Sequence, residues 1–271
     1  MIAIISDIHS NPQALSAVLS DMKNYPVTDI FCLGDLVNYG PEPNETISML
    51  LNHGVKSIMG NHDLSVADPV NGLSYISTSK ELLQQYTLDI IEEHHRKYLE
   101  TLPYSLTAYD CYFVHSRPPN MLNGHIRRHL EARGFHQSMD TTGKRLCFVG
   151  HTHVDVVYSG VPSADRDFTY TPIQPSPVEK MGLASESYTE SELHLDPETR
   201  YIINVGSVGF HRGGKPFASY CLYDPQDERL LFRHVHYDLP KLLANLKARN
   251  LPTHIEDYLA SYLPLGGPQR I

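Results

Sequence analysis

Short apolar runs rich in β-branched residues alternate with longer amphipathic stretches at the start of the chain. Residues 2–6 (IAIIS) are unbroken and of strand length, which predicts a buried strand. Residues 11–24 place Leu15, Val18, Leu19 and Met22 at helical spacing. Asn11 stands where a cap belongs and Pro12 in the first turn, so the stretch predicts a helix. Residues 29–34 and 55–60 predict two further strands, and 44–53 a second helix. A strand–helix–strand–helix–strand order implies parallel pairing with helices on the sheet faces.

The pattern then changes. Residues 79–86 and 88–102 carry helical periodicity, and Pro103 ends the second stretch. Seven strand-like runs follow with no helical pattern read between them: 104–109, 111–116, 145–150, 154–159, 200–207, 218–224 and 229–238. Asp110 is a one-residue break between the first two, as in a tight hairpin. The run predicts a second, largely antiparallel sheet. The fold class that results is α+β with an α/β-like start: two mixed β-sheets packed face to face, helices outside, an αββα four-layer sandwich. Residues 160–199, rich in Pro, Ser and Glu, read as a surface excursion rather than a lid. Residues 239–271 read as one or two short helices packed on the outside of a domain spanning 1–238.

Composition narrows the function classes. The chain has 271 residues, 41% hydrophobic and 20% charged, with a formal net charge of −9. No Lys/Arg stripe is present, so general nucleic-acid binding by counterion release is not expected. A few local cations could still hold a phosphate substrate. Cys32, Cys111, Cys147 and Cys221 lie inside apolar runs without a CxxC pair and read as small buried hydrophobes in a reducing compartment. No stretch approaches the ~18 apolar residues of a membrane span, and the short apolar N-terminus does not read as a signal peptide. A cytoplasmic location without membrane association is the expectation.

Candidate chemistry comes from how the apolar runs end. IAIIS is followed by Asp7 and His9, IFCLG by Asp35, KSIMG by Asn61, His62 and Asp63, CYFV by His115, and LCFVG by His151 and His153. In sheets flanked by helices, ligands gather at the carboxyl ends of strands, so these clusters should converge. Converging carboxylates and imidazoles need a counter-charge, and mixed N/O ligation suits first-row metal ions. Seven such side chains exceed one tetrahedral site. Two ions sharing one carboxylate, at the ~3.5–4 Å separation of two-metal hydrolases, fit better.

The successive motifs SDIHSN, GDLVNYGP, GNHD, VHSRP and GHTH resemble those of the calcineurin-like metallophosphoesterases. NVGSVGFHRGGKPFASY (204–220) is similar to a segment of that family's small prokaryotic phosphodiesterase branch. The resemblance covers residues 1–238 and implies a metal-dependent phosphoric ester hydrolase. Its implied roles are Asp7, His9 and His153 on one metal, Asn61, His115 and His151 on a second, and Asp35 bridging them. The implied cofactors are two divalent or mixed-valence ions, Mn or Fe favoured, with Zn, Ni, Co or Mg as alternatives. His62 would face the substrate as the catalytic histidine with Asp63 orienting it, and Asn61, His62 and Arg212 would contact substrate. The implied reaction is hydrolysis of a phosphodiester or nucleotide-type bond by a metal-bridging hydroxide. Alternatives are a phosphomonoesterase or protein phosphatase using the same site, or a non-catalytic scaffold of the same fold. The family usually has glycine where this chain has Ser116, a β-carbon that would narrow the approach to the site. Tyr39 reads as a loop-packing residue, and His94 and His95 as a solvated helix face.

Overall fold

The computed structural model describes residues 1–72, 81–124, 132–161, 168–172, 188–210, 212 and 217–249. The strands are β1 (Ile2–Ile5), β2 (Asp29–Cys32), β3 (Lys56–Ser57), β4 (Ser105–Ala108), β5 (Cys111–Val114), β6 (Leu146–Val149), β7 (Asp155–Gly160), β8 (Phe168–Pro172), β9 (Tyr188–His194), β10 (Arg200–Val205), β11 (Phe217–Asp224) and β12 (Arg229–His236). The helices are α1 (Pro12–Asp21), α2 (Pro43–Asn52), α3 (Asn61–Ala67), α4 (Pro69–Gly72), α5 (Glu81–Ile90), α6 (Glu93–Glu100), α7 (Ala132–Thr142) and α8 (Leu239–Ala248). Asn11 caps α1 as its sequence position predicts: its side-chain oxygen accepts from the Ala14 amide at 3.0 Å.

One sheet runs β3-β2-β1-β11-β12-β9 and the other β4-β5-β6-β10-β7-β8. The pairs β1–β2, β2–β3, β5–β6 and β6–β10 are parallel, and the remaining ladders are antiparallel. The two-residue period of each strand divides its side chains between layers. Ile2 and Ile4 of β1 face the other sheet, while Ala3 and Ile5 face helix α1 and its neighbours. Leu146 and Phe148 of β6 also enter the inter-sheet layer, while Cys147 and Val149 pack outward with Met139 of α7. Phe31 stacks on Phe113 across the sheets with ring centroids 4.4 Å apart. The result is the expected four-layer sandwich.

Four expectations need correction. The late strands are not free of helices, because α7 stands between β5 and β6. The late strands do not all build the second sheet: β11 and β12 pair into the first one, beside β1, and make its antiparallel half. Two described parts of 160–199 are not a surface excursion, because β8 extends one sheet beyond β7 and β9 edges the other beside β12. Arg233 of β12, 1% exposed, binds both Asp21 of α1 and Glu190 of β9 and so ties that edge to the helix layer. The break between the middle helices falls at 91–92 rather than at 87. Asn44 holds it there by donating to the Ile90 carbonyl and accepting from the Glu92 amide, both at 2.9 Å.

A tight hairpin stands at Asp110 as expected, but its turn takes two residues rather than one. Tyr109 and Asp110 both take positive φ between paired Ala108 and Cys111, a two-residue turn whose twist matches its strands. The tail helix α8 buries Leu239, Leu242, Leu243 and Leu246 against Leu83, Phe210 and Tyr39, so residues 239–248 pack on the body of the chain. The second tail helix, expected near 254–263, lies outside the described residues.

Candidate metal centre

The site sits where β1, β2, β5 and β6 end. Asp7 and His9 follow β1, Asp35 follows β2, His115 follows β5 directly, and His151 and His153 follow β6. Asn61, His62 and Asp63 are not on a strand end but form the first turn of α3, with Gly60 as its N-cap. Asp7, His9, Asp35, His151 and His153 all have positive φ, between 52° and 68°. Such backbone costs on the order of 1–3 kcal/mol per residue and persists only where surroundings fix it. Here they do. The amides of Asp7, His9 and Ser10 donate to the carbonyls of Gly34, Asp35 and Leu36. The His151 amide donates to Asp7 Oδ2 at 2.9 Å.

Glycine is required at the crossing point of these loops. A Cβ on Gly150 would lie 2.0 Å from Ser6 Oγ and 2.4 Å from Asp7 Oδ2. The strand-end glycine read from sequence as permission for a sharp turn is thus also permission for close approach.

Hydrogen bonds fix which imidazole nitrogens point inward. His9 Nδ1 meets the Val37 carbonyl at 3.1 Å, His115 Nδ1 the Leu33 carbonyl at 2.8 Å, and His153 Nδ1 the Phe210 carbonyl at 2.8 Å. A carbonyl only accepts, so each Nδ1 carries hydrogen and each neutral ring turns a lone pair inward at Nε2. The Nε2 atoms of His9 and His153 are 3.0 Å apart, with Asp7 Oδ1 3.2 Å from the latter. Asp7 Oδ1 is fully buried and has no hydrogen-bond donor among the described residues. His115 Nε2 lies 3.0 Å from Asn61 Oδ1 and 3.3 Å from both Asp35 Oδ2 and His151 Nδ1.

Two sets of donors result: Asp7, His9, Asp35 and His153, and Asp35, His115 and His151. Within each set the ligand atoms lie within 4.8 Å of one another, and Asp35 belongs to both. Lone pairs crowded this closely in a buried site repel unless a cation sits among them. The residues present therefore fit metal ions, with the oxygen–nitrogen mixture of first-row metals. A third grouping, Glu92, His94 and His95, is different. His95 is buried rather than solvated, and its ring nitrogens already face Ser48 Oγ and Asn44 Oδ1.

The electrostatics follow the same crowding. Burial favours the neutral forms of Asp7 and Asp35, but nearby imidazoles outweigh it. His153 and His115 hold Asp7 at about 2, and His115 and His62 hold Asp35 well below the usual carboxylate range. Burial disfavours a charged His115, yet Asp35 and Asp7 lift it to about 9. Burial and the neighbouring His153 push His9 well below the ordinary imidazole range. His62 is lowered too, mainly by burial.

The structure departs from the expected pairing of Asp63 with His62. Asp63 does not reach the ring. Its oxygens accept from the amides of Asp35 (2.7 Å), Leu36 (2.8 Å), Val37 (3.3 Å) and Gly60 (2.9 Å). Burial and the nearby Asp35 raise Asp63 to about 7. Its place is to shape the loop that carries Asp35. The partner of His62 is Asn38, with Nδ2 3.1 Å from His62 Nδ1. Sequence reading passed over Asn38, although it stands three residues after Asp35 in the same motif.

The other expected positions are as follows. Arg212 is exposed, and its amide donates to the His153 carbonyl at 2.9 Å. Ser116 is 1% exposed and donates its hydroxyl to the Gly124 carbonyl, so it turns into its own loop and does not narrow the approach. Tyr39 packs against Phe210 and α8 as expected of a loop residue, but it also borders the site, with its ring 4.4 Å from that of His9 and 4.9 Å from that of His62. All four cysteines are buried and free. Among the described residues no helix is long and apolar enough to cross a membrane.

Comparison with known proteins adds four likenesses. Residues 1–228 match the model of the calcineurin-like phosphoesterase superfamily domain. An uncharacterized protein of Methanocaldococcus jannaschii is 32% identical over 265 residues, covering 96% of this chain and 97% of its own. The crystal structure of a metallophosphoesterase from Sphaerobacter thermophilus superposes with a TM-score of 0.76 at 30% identity, covering 97% of this chain and 99% of that one. A hypothetical protein from Pyrococcus horikoshii has the same fold, with a TM-score of 0.74 at 19% identity over 95% of this chain and 96% of its own.

Proposed function

Because the chain belongs to the calcineurin-like phosphoesterase superfamily, matched over residues 1–228, we propose that it hydrolyses a phosphodiester or nucleotide-type bond with two metal ions held around Asp35. One observation carries this reading: two largely buried donor sets, each with its ligand atoms within 4.8 Å of one another, share a single carboxylate. A site for one ion would not need Asp35 Oδ2 to lie 3.3 Å from His115 Nε2 and 3.8 Å from His9 Nε2.

In this proposal Asp7, His9 and His153 hold one ion and Asn61, His115 and His151 the other. A bound pair of divalent cations supplies charge neutralisation at the phosphoryl group and a water made nucleophilic near neutral pH. The chain's own residues supply the rest. The backbone carbonyls of Val37, Leu33 and Phe210 keep His9, His115 and His153 in the ligating tautomer. Asp63 fixes the Asp35 loop through four amides. His62 donates from Nε2 to the leaving oxygen, by hydrogen bond or by proton. Arg212 is placed beside His153 to meet the phosphate. The natural ions are Mn or Fe by preference, the body of the protein is 1–238, and 239–271 is its outer tail. Work in the cytoplasm fits the four free thiols.

The test is a rate panel with Mn²⁺, Mg²⁺, Zn²⁺ and Fe²⁺ against a bis-aryl phosphodiester, an aryl monoester, cyclic nucleotides and dinucleoside polyphosphates. The proposal expects metal-dependent turnover with the diester or a nucleotide preferred over the monoester. Monoester preference would overturn the substrate class. Inactivity of the metal-loaded chain on every phosphoester would overturn the enzymatic reading in favour of a scaffold.

A further inference from the structure

The loop after β10 runs beside the one that carries Asp7. The amides of Val208 and Gly209 donate to the carbonyls of Ser6 and Asp7 at 2.9 and 3.0 Å. Asn11 Nδ2, at the head of α1, donates to the Gly209 carbonyl at 3.1 Å. The same loop then reaches His153. The Phe210 carbonyl accepts from the ring Nδ1 at 2.8 Å, and the Arg212 amide donates to the His153 carbonyl at 2.9 Å. Asp7 and His153 stand at positive φ, 54° and 60°, and belong to the same donor set.

Ser207 links these two contacts. It is fully buried, and its hydroxyl oxygen lies 2.8 Å from the Asp7 carbonyl oxygen and 2.8 Å from the Phe210 amide nitrogen. A carbonyl only accepts and an amide N–H only donates. The hydroxyl hydrogen therefore goes to Asp7, and a lone pair receives Phe210. One side chain thus fixes the main chain at Asp7 and at the residue whose carbonyl fixes His153. The Ser207 carbonyl accepts in turn from the Ser219 amide of β11 at 2.9 Å, which anchors the loop in the sheet. His115, in the other set, is anchored from elsewhere: its ring by the Leu33 carbonyl and its own carbonyl by the Gly150 amide.

We propose that Ser207 is a positioning residue for one of the two ions: its hydroxyl ties Asp7 to the Phe210 turn and so sets the spacing of Asp7 and His153 about the ion they share with His9. This rests on the two-ion reading and adds that the ions are separable. Without the hydroxyl, Asp7 keeps only the Gly209 amide on its carbonyl, and the Phe210 amide loses its acceptor. Left-handed backbone persists only where its surroundings fix it, so the spacing of this one set relaxes.

The test compares wild type, Ser207→Ala and Ser219→Ala. Ser219 is also fully buried, and its hydroxyl donates to the Val205 carbonyl at 3.0 Å. Its removal costs a similar bond in the same part of the sheet, but that bond leads to no ligand. Crystals of each protein are soaked over a series of Mn²⁺ concentrations and the anomalous occupancy of each position is refined. Calorimetric titration and Tm are measured beside them. Removing a group that supports a ligand costs about 10–100-fold in metal affinity, so in Ser207→Ala the position beside Asp7, His9 and His153 should need that much more Mn²⁺ to fill. The position beside Asn61, His115 and His151 should fill as in wild type. Ser219→Ala should lower Tm and fill both positions as wild type does. Unchanged filling in Ser207→Ala, equal weakening at both positions, or the same loss in Ser219→Ala overturns the proposal. A single Mn²⁺ position in the wild type would instead remove the two-ion reading, and this inference with it.

Discussion

Gly60→Ala places one methyl group against the carboxylate that both donor sets share. Gly60 has φ −96° and ψ 171°, extended backbone open to any residue, so alanine meets no conformational penalty. The added Cβ would lie 2.2 Å from Asp35 N and 2.2 Å from Asp35 Oδ1, whereas unstrained contacts lie near ~3.5 Å. Neither atom is free to retreat. Asp35 N is held by Asp63 Oδ2 at 2.7 Å, and Asp35 Oδ1 by the His62 amide at 2.8 Å. Overpacking of this kind costs about 1–3 kcal/mol. Two broken hydrogen bonds add about 1 kcal/mol each. A loss of roughly 3–5 kcal/mol should lower the Tm of a chain this long by roughly 6–10 °C. Because Asp35 belongs to both donor sets, both ions should leave together. Metal content per chain after gel filtration and calorimetric Tm give the readout. Gly54→Ala is the control, with φ 63° but nothing within 4 Å of the new Cβ. It should lose about 1 kcal/mol and keep its metals. A Gly60→Ala protein with wild-type metal content and Tm would refute the reasoning.

Three further outcomes are expected. His62→Ala should retain both ions while kcat falls by about 10²–10⁴-fold, measured on a bis-aryl diester beside metal analysis; unchanged turnover would place His62 outside the chemistry. Chelation should lower Tm by about 5 °C per site when compared with protein in free metal at 100 times Kd, where one site contributes about 2.7 kcal/mol; a Tm indifferent to the chelator would argue against folded-state metal binding. His115 of the metal-free chain keeps its proton up to about 9, and a ligating ring must lose it. Calorimetry in buffers of different ionisation enthalpy at pH 7 should therefore show proton release on metal binding, and affinity should rise with pH until about 9 and then level off.

Much of the site was legible because strand ends announce themselves. An apolar run, a glycine and then Asp or His is a one-dimensional signal, and parallel pairing of β1 with β2 and of β5 with β6 gathers those ends at one edge. What escaped depended on partners distant in sequence. Nothing local says that Asp63 turns to amides 26–28 residues away while Asn38 takes the neighbouring imidazole. The destination of the late strands was equally hidden. β11 and the second-sheet strands share the same apolar character, and only burial of Ala218, Tyr220 and Leu222 against α1's layer places β11 beside β1. β8 and β9 are edge strands in a Pro- and Ser-rich segment, where one-sided pairing leaves a weak alternation. The middle helix break was misjudged because Asn44 caps it from another helix.

Anomalous diffraction from crystals soaked in Mn²⁺ tests the shared-carboxylate claim most directly. Two peaks should appear, one beside Asp7, His9 and His153 and one beside Asn61, His115 and His151, with the Asp35 carboxylate touching both. A single peak, or peaks that leave Asp35 without a metal contact, would contradict the account.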